Sequence, residues 1–383
     1  MSAPLSFPPC KLPAQAEALR PQVHEFLAEA QGDQPVLQRA KSWLGFDLEF
    51  TRKLAARGWV GMMWPREYGG GAKTAFERYV VVEELVAAGA PVMAHWIADR
   101  QSGPLILRFG TESQKQKYLP PIARGESCFA IGMSEPDAGS DLASVRTRAV
   151  RAPGGWVVNG TKVWTSNAHR CQAMIALLRT GSVESRQLGL TQFVIDMPCA
   201  GITVRPIIDL AGEHHFNEVV FEDCFLPDEQ LLGGEGNGWA QVTSELALER
   251  SGPERFMSSM PLLVDFVREA GPAPDGASAA AVGRLFARHA VLRQMSLSIA
   301  GRLERNEDPQ LEAACLKDLG GDLEQAVPEI VHALLDQEPM CGEASPDYAR
   351  LLAAVTEMAP SFTLRGGTRE VLRSIIARGV GLR

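Results

Sequence analysis

Apolar residues change their spacing twice along the 383-residue chain, and that double change restricts the fold more than any single motif does. Over residues 13–125 they recur three and four apart, the period of a helix with one buried face. Ala14 to Ala30, Leu37 to Arg57, Phe76 to Gly89 and Pro104 to Phe109 carry this pattern. Pro21 restarts the first of these, and Thr111 caps a further helix. Between residues 128 and 228 the period shortens toward two. Candidate strands are Trp156-Val158, Lys162-Ser166, Met174-Leu178, Gln192-Asp196, Thr203-Ile208 and Glu218-Phe221. Short strands separated by turn residues predict a small β-barrel or sandwich. From Gly233 the helical period returns, in stripes over 239–250, 254–270, 279–303, 311–335 and 347–358, with loops at Ala273 to Ser278 and Glu343 to Pro346. The pattern predicts an α+β multidomain chain, helical over 1–127, strand-rich over 128–229 and helical again over 230–383.

The most informative stretch is Cys128 to Asn167. Its first half, Met133-Ser134-Glu135-Pro136-Asp137-Ala138-Gly139-Ser140-Asp141, is a turn of small residues. Pro136 fixes one φ, Gly139 permits a positive one, and nothing bulky bars a ligand from the main chain. Its second half places Asn159-Gly160 between Trp156-Val157-Val158 and Thr161-Lys162-Val163-Trp164, the signature of a hairpin with a type I′ turn. A small-residue loop followed by an aromatic-ended hairpin predicts a wall for a flat ligand.

Composition excludes several classes. A formal charge of −8 offers no basic field for nucleic acid or anionic lipid. No apolar run reaches the 18 or so residues of a membrane span, so no membrane insertion is expected. The opening MSAPLSFPPCKLPAQ has neither a basic region before an apolar core nor an Arg-rich amphipathic stretch, which predicts a cytoplasmic protein. Seven scattered cysteines without a CxxC pair imply reduced thiols. The adjacent His214-His215 would point to opposite faces of a strand and cannot chelate together, so no metal is expected.

In these motifs, the chain resembles the acyl-CoA dehydrogenase family over nearly its whole length. Matching pieces are Gly58-Trp59…Pro65…Glu67-Tyr68-Gly69-Gly70 and Gly110-Thr111-Glu112…Gln114…Tyr118-Leu119-Pro120. More specific are Met133 to Asp141 and Asn159-Gly160-Thr161-Lys162-Val163-Trp164-Thr165-Ser166-Asn167-Ala168. Leu210-Ala211-Gly212, Val219-Val220-Phe221-Glu222-Asp223 and Leu231-Leu232-Gly233-Gly234-Glu235-Gly236 follow in order. The resemblance implies an N-terminal helical domain, a middle β-barrel and a C-terminal four-helix bundle, with FAD between the last two. It implies a homo-oligomer or a hetero-oligomer with a related subunit, and an electron-transfer flavoprotein as redox partner. Backbone near Met133 and Ser134 would meet the flavin's N5–O4 edge, and Gly139-Ser140 its pyrophosphate and the acyl-CoA. Trp164 would stack near the isoalloxazine, and Ser166 would bond toward the N5–O4 edge.

The chemistry so implied removes an α-proton from an acyl-CoA thioester and passes the β-hydrogen as hydride to flavin N5. It needs a carboxylate in an apolar pocket and donors for the thioester oxygen. The family's commonest base is the Glu of a late Glu-Gly-Thr; here Gly366 stands in its place, in Arg365-Gly366-Gly367-Thr368. Its main-chain N–H could still serve the thioester oxygen. A second family location lies on the helix opening the C-terminal domain, just before an Arg. Trp239, Val242, Leu246 and Glu249 share one face of that helix, with Arg250 next, which makes Glu249 the expected base and Glu245 the alternative. Pairing with Arg250 or another cation is the competing account of Glu249. Ser251 with Glu254 fits a capping box after Gly252-Pro253, which would set Glu249 near a helix C-terminus, where its pKa would rise. Thr368 starts a helix through Arg378, making Thr368 and Glu370 candidate FAD contacts or, equally, an ordinary cap and first-turn carboxylate.

Two family segments are missing. Arg268-Glu269-Ala270-Gly271-Pro272 occupies the region of the usual Arg-x-x-Phe-Gly, and Pro339-Met340-Cys341-Gly342 does not make the Gly-Gly-x-Gly turn. These gaps leave open a heteromer in which a different subunit supplies the missing contacts. The absent late Glu supports one rival to a dehydrogenase, a non-catalytic partner subunit of a heteromeric enzyme; a second rival is a flavin oxidase or monooxygenase on the same fold. The acyl group handled, whether a fatty or a steroid side chain, is not written in any local motif.

Overall fold

The computed structural model describes residues 5–32, 34–334 and 347–382, with positions 246–248 given by backbone alone. The expected loop at Glu343 to Pro346 and the segment around Gly342 lie outside the described residues. In chain order the first helices are α1 (Ala14–Glu17), α2 (Arg20–Ala30), α3 (Val36–Lys41), α4 (Leu48–Ala56) and α5 (Ala75–Ala87). They are followed by α6 (Met93–Ile97), α7 (Gly103–Phe109) and α8 (Glu112–Ala123). Strands β1 (Phe129–Gly132), β2 (Arg148–Ala152), β3 (Gly155–Lys162) and β4 (Ala173–Arg179) come next. Then come β5 (Leu190–Asp196), β6 (Ile202–Ile208), β7 (His214–Pro227) and β8 (Leu231–Leu232). The chain closes with α9 (Gly238–Arg250), α10 (Met260–Ala270), α11 (Gly276–Glu304), α12 (Gln310–Leu334), α13 (Asp347–Met358) and α14 (Arg369–Gly379).

Two compact units hold these elements. The helical unit is drawn from Met1–Lys53, Lys73–Met93 and Ala247–Arg383, the other from Leu54–Ala72 and Ala94–Leu246. In the helical unit α11 packs on α12 and α5, and α12 also meets α13 and α14. Tyr79, Leu297 and Ala300 form one of its buried clusters, closed by Cys10, Leu12 and Phe76. Arg293 grips Glu83 with two bonds, at 2.6 and 3.0 Å, and so ties α11 to α5.

Pro21 does restart the first helix, at the beginning of α2. The expected helix from Leu37 to Arg57 breaks instead into α3, a 3-10 turn and α4. Ser42 ends α3 with φ 48°, and beyond it the Gly45 carbonyl accepts the Met93 amide at 2.9 Å, where a Cβ on Gly45 would sit 3.0 Å from that of Pro91.

The second unit is built on one eight-stranded sheet, ordered β6-β7-β3-β2-β4-β5-β8, with β1 parallel to β4. Among the described residues no pairing joins the two ends of that path, so the sheet stays open there. β4 is buried at every position, with Met174, Ile175, Leu177 and Leu178 all fully enclosed. Thr111 caps α8 through a reciprocal box with Gln114, whose amide also donates to the carbonyls of Glu229 and Leu231 at 2.8 and 2.9 Å.

The expected Asn159-Gly160 hairpin is not formed. The real hairpin joins β2 to β3 through Pro153-Gly154, with Ala152 opposite Gly155. Asn159 and Gly160 lie inside β3, at an irregularity in its pairing with β7. Asn159 exchanges hydrogen bonds with Asp223, at 3.0 and 2.9 Å, which removes it from any turn. Gly160 is required by close approach: a Cβ would lie 2.7 Å from the Cα of Thr147. β1, β2 and β8, which the period-two pattern did not mark, complete the sheet. The helix start expected at Ser251 falls one residue later. Gly252 caps the short 3-10 helix Pro253–Arg255, without a side-chain bond.

Candidate functional site

In the sheet-bearing unit, the small-residue loop after β1 is pinned to the end of β3. Ser134 accepts the Val163 amide at 2.9 Å, and Met133 accepts Lys162 Nζ at 3.0 Å. Lys162, with no exposed surface, also donates to Glu135 Oε1 at 2.7 Å. Glu135 accepts the amides of Arg146 and Thr147 as well, at 2.6 and 2.9 Å, so both its oxygens are engaged. Burial pushes the Glu135 carboxyl up, but the Lys162 charge and these hydrogen bonds outweigh it and hold it below its ordinary value. At Lys162 the balance reverses. Burial brings the ammonium down to about 8, with Glu135 offsetting only part of that. At neutral pH both directions leave the pair charged.

Beyond Lys162, Trp164 takes a left-handed backbone, φ 58°, and keeps 59% of its surface exposed. Such a conformation is uncommon for a bulky residue and is a strain that surrounding bonds must hold. Ser166 is half-buried, Thr165 is buried, and Asn167 is again left-handed at φ 52°. Thr165 Oγ1 and Asn167 Nδ2 are buried and find no hydrogen-bond partner among the described residues. Met133 and Ser134 are thus held against the strand end that leads into Trp164 and Ser166, and Gly139 and Ser140 are exposed. Gly139 does not use a positive φ. A Cβ there would meet nothing within 4 Å, so its contribution is bare main chain. An exposed indole beside small residues with spare hydrogen-bonding capacity fits a flat, polar-edged ring system.

In the helical unit, Glu249 and Gly366 are brought together. A Cβ placed on Gly366, whose φ is 70°, would lie 3.4 Å from Glu249 Oε1 and 3.4 Å from Arg255 Nη2. Arg255, 1% exposed, donates Nη2 to Glu249 Oε1 and Nε to the Glu249 carbonyl, at 2.9 and 2.8 Å. Arg250 donates Nε to the Gly366 carbonyl at 2.8 Å, which fixes that peptide.

The apolar surroundings expected for Glu249 are therefore corrected: an arginine, rather than hydrocarbon, meets the carboxylate. Trp239 and Val242 pack elsewhere, against Met133, Ala138, Val145 and Leu177, and the side chain of Leu246 lies outside the described residues. Glu245 is the more buried of the two candidates, at 2%, and its Oε1 accepts Gln192 Nε2 at 3.0 Å in the sheet-bearing unit. On α14, Thr368 accepts the Val371 amide at 3.4 Å as a helix cap. Glu370 stands exposed in the first turn, its carboxyl held low by its own amide and the Thr368 hydroxyl. Both residues carry out ordinary helix-start chemistry.

The acyl-CoA dehydrogenase N-terminal domain matches residues 13–126, and the middle domain of the same family matches residues 130–224. Acyl-CoA dehydrogenase FadE29 of Mycobacterium tuberculosis is 32% identical over 85% of this chain and 86% of its own length. The chain belongs to the acyl-CoA dehydrogenase family. Acyl-CoA dehydrogenases are flavoprotein oxidoreductases, and FadE34 of the same organism is another relative, 32% identical over 92% of the chain. The chain spans 48% of the length of FadE34. Among solved structures, "Tcur3481-Tcur3483 steroid ACAD" aligns with a TM-score of 0.86 at 27% identity, covering 97% of this chain and 99% of that one. The helical N-terminal part, the middle sheet and the helical C-terminal part are the fold of the acyl-CoA dehydrogenases. No helix among the described residues is long and apolar enough to cross a membrane, and no metal-binding cluster occurs there.

Reading the sequence missed Glu135, Lys162 and Arg255. Lys162 was visible as the one charge in its motif, whereas Glu135 shares its loop with Asp137 and Asp141. Nothing in the sequence links Arg255 to Glu249 except a spacing of six, which a broken helix makes meaningful only in three dimensions.

Proposed function

We propose that this chain catalyses α,β-dehydrogenation of an acyl-CoA thioester, with Glu249 as the base that removes the α-proton. One observation carries the reading. The family's late glutamate is replaced by Gly366, and the direction in which that glutamate would extend from Gly366 leads to Glu249 Oε1, 3.4 Å away. A carboxylate from a different place in the chain thus stands beside the vacated position. Arg255 fixes the Glu249 carboxylate and its carbonyl, so the base is oriented before substrate arrives. Arg250, by holding the Gly366 carbonyl, orients the peptide whose N–H would meet the thioester oxygen as enolate charge develops.

FAD, when bound, supplies the two-electron acceptor for this chemistry. Main chain at Met133 and Ser134, the Trp164 indole and the Ser166 hydroxyl would hold its ring. Gly139 and Ser140 would approach its pyrophosphate. An electron-transfer flavoprotein would reoxidise it, in the cytoplasm. The steroid relative carries two protein names, Tcur3481 and Tcur3483. That pairing supports a hetero-oligomer with a related subunit, and a bulky steroid-type acyl group, over a homo-oligomer acting on a simple fatty chain.

One observation favours a second reading. Glu249 is already engaged by Arg255, as it would be in a non-catalytic partner subunit. The deciding experiment is anaerobic bleaching of the bound flavin by a panel of straight, branched and steroid-side-chain acyl-CoAs. The dehydrogenase reading expects bleaching by at least one thioester, slowed about 10²–10⁴-fold in Glu249→Gln. Bleaching that is unchanged in Glu249→Gln removes the base, and a flavin that no thioester bleaches supports the partner subunit.

A further inference from the structure

Trp164 and Ser166 lie in a strained turn, and the bonds that hold it converge on one residue. Asn217, in β7, has no exposed surface. Its main-chain carbonyl accepts the Thr165 amide at 3.0 Å, and its side-chain Nδ2 donates to the Thr165 carbonyl at 2.9 Å. Thr165 is therefore gripped on both sides of its backbone, between Trp164 and Ser166. The neighbouring bond, from the Asn167 amide to the His215 carbonyl at 2.9 Å, comes from the same strand.

The orientation of the Asn217 amide is itself determined. Its Oδ1 accepts from His169 Nδ1 at 3.1 Å and from His214 Nε2 at 2.8 Å. These two imidazoles stack with centroids 3.8 Å apart and planes 15° from parallel. Arg170 Nε donates to His169 Nε2 at 3.0 Å, which makes Nδ1 the protonated nitrogen of that ring and so the donor to Asn217. With Oδ1 committed to two imidazole donors, Nδ2 faces Thr165. Phe216, the residue before Asn217, sets its ring edge-on to Trp164, centroids 5.8 Å apart.

We propose that Asn217 is a positioning residue for the cofactor. By clamping Thr165 it holds Trp164 in its left-handed conformation and Ser166 at a fixed height beside it. The two histidines act on the cofactor only through Asn217. This rests on the proposed reading of Trp164 as a flavin contact. A buried amide is suited to the task because it donates to one carbonyl while accepting two N–H bonds, which neither aspartate nor serine does in the same volume.

The test is titration of FAD into deflavinated protein, read by affinity and by the shape of the flavin's long-wavelength absorption band. Asn217→Asp keeps the size but turns an acceptor toward the Thr165 carbonyl. It is expected to weaken FAD about tenfold or more and to alter the band. His169→Phe, at an exposed position that leaves the Thr165 grip in place, removes one donor to Oδ1. Its expected effect is a shift of the band in the same direction, with FAD weakened about two- to threefold. Wild-type affinity and band shape in His169→Phe and in Asn217→Asp overturn the proposal; if Asn217→Asp fails to fold, an unchanged band in His169→Phe does so alone. Trp164→Phe separates the two levels. If it too leaves band and affinity unchanged, the flavin contact at Trp164 is lost, whereas an altered band there with unchanged Asn217 and His169 variants rejects the clamp only.

Discussion

Two of the buried carboxylate–cation pairs, one in each unit, differ in what surrounds the carboxylate. Glu135 and Lys162 are closed in, with donors on both carboxylate oxygens, and they join two stretches of chain 27 residues apart. Glu249 and Arg255 are six residues apart, and the carboxylate keeps 14% of its side-chain surface beside a glycine with no side chain of its own. The first pair is consumed by holding a loop against a strand. The second presents an oriented oxygen to a space that Gly366 leaves open. Burial of a charge is thus no guide to function by itself; what distinguishes the two is what the carboxylate faces, two loop amides in one pair and a glycine without a side chain in the other.

Three substitutions or conditions test that distinction. Lys162→Met leaves Glu135 buried without its cation and is expected to cost about 3–5 kcal/mol, seen as a lower urea midpoint at unchanged slope. An unchanged midpoint would mean that Glu135 is protonated or hydrated and that the closed pair is no cross-link. Arg255→Lys keeps a charge beside Glu249 but loses the fork that fixes both its carboxylate and its carbonyl. Flavin bleaching is expected to slow about tenfold, roughly 1.4 kcal/mol in the barrier, with a smaller change in stability. Equal losses in both would make Arg255 as structural as Lys162. The smallest effect is on pH dependence. Glu135 has a folded-state pKa below its ordinary value, so its stabilisation is complete above about pH 5 and is lost as pH falls through the lowered value. Acid unfolding should show that loss in the wild type and a weakened or reversed dependence on this carboxyl in Lys162→Met, where only the two amide bonds still oppose burial.

Much of this was legible in the chain. The helical period breaks off where residues 173–178 and 193–195 form short apolar runs that are buried at every position. Thr111 and Gln114 announced a helix start because a capping box is a local interaction. Legibility failed where a local signal was overruled from a distance. Asn159-Gly160 has turn chemistry, yet Asp223 and Thr147 claim it for the interior of a strand. The Glu249 stripe had helical spacing, but Trp239 and Val242 pack with the sheet-bearing unit while Glu249 meets an arginine beyond the helix end. Asn217 gave no signal at all, since its value lies in neighbours contributed by residues 165, 169 and 214.

The 3.4 Å between the Cβ position of Gly366 and Glu249 Oε1 also constrains how such a site can change. A side chain added at position 366 would start beside Glu249 and Arg255. A glutamate restored at position 366 while Glu249 remains would force two like charges to share a single proton, and neither would then be a reliable base. If Glu249 is the base, as proposed, moving it from one location to the other requires the old position to be emptied, and a lineage that relocated it would pass through a chain carrying none or two.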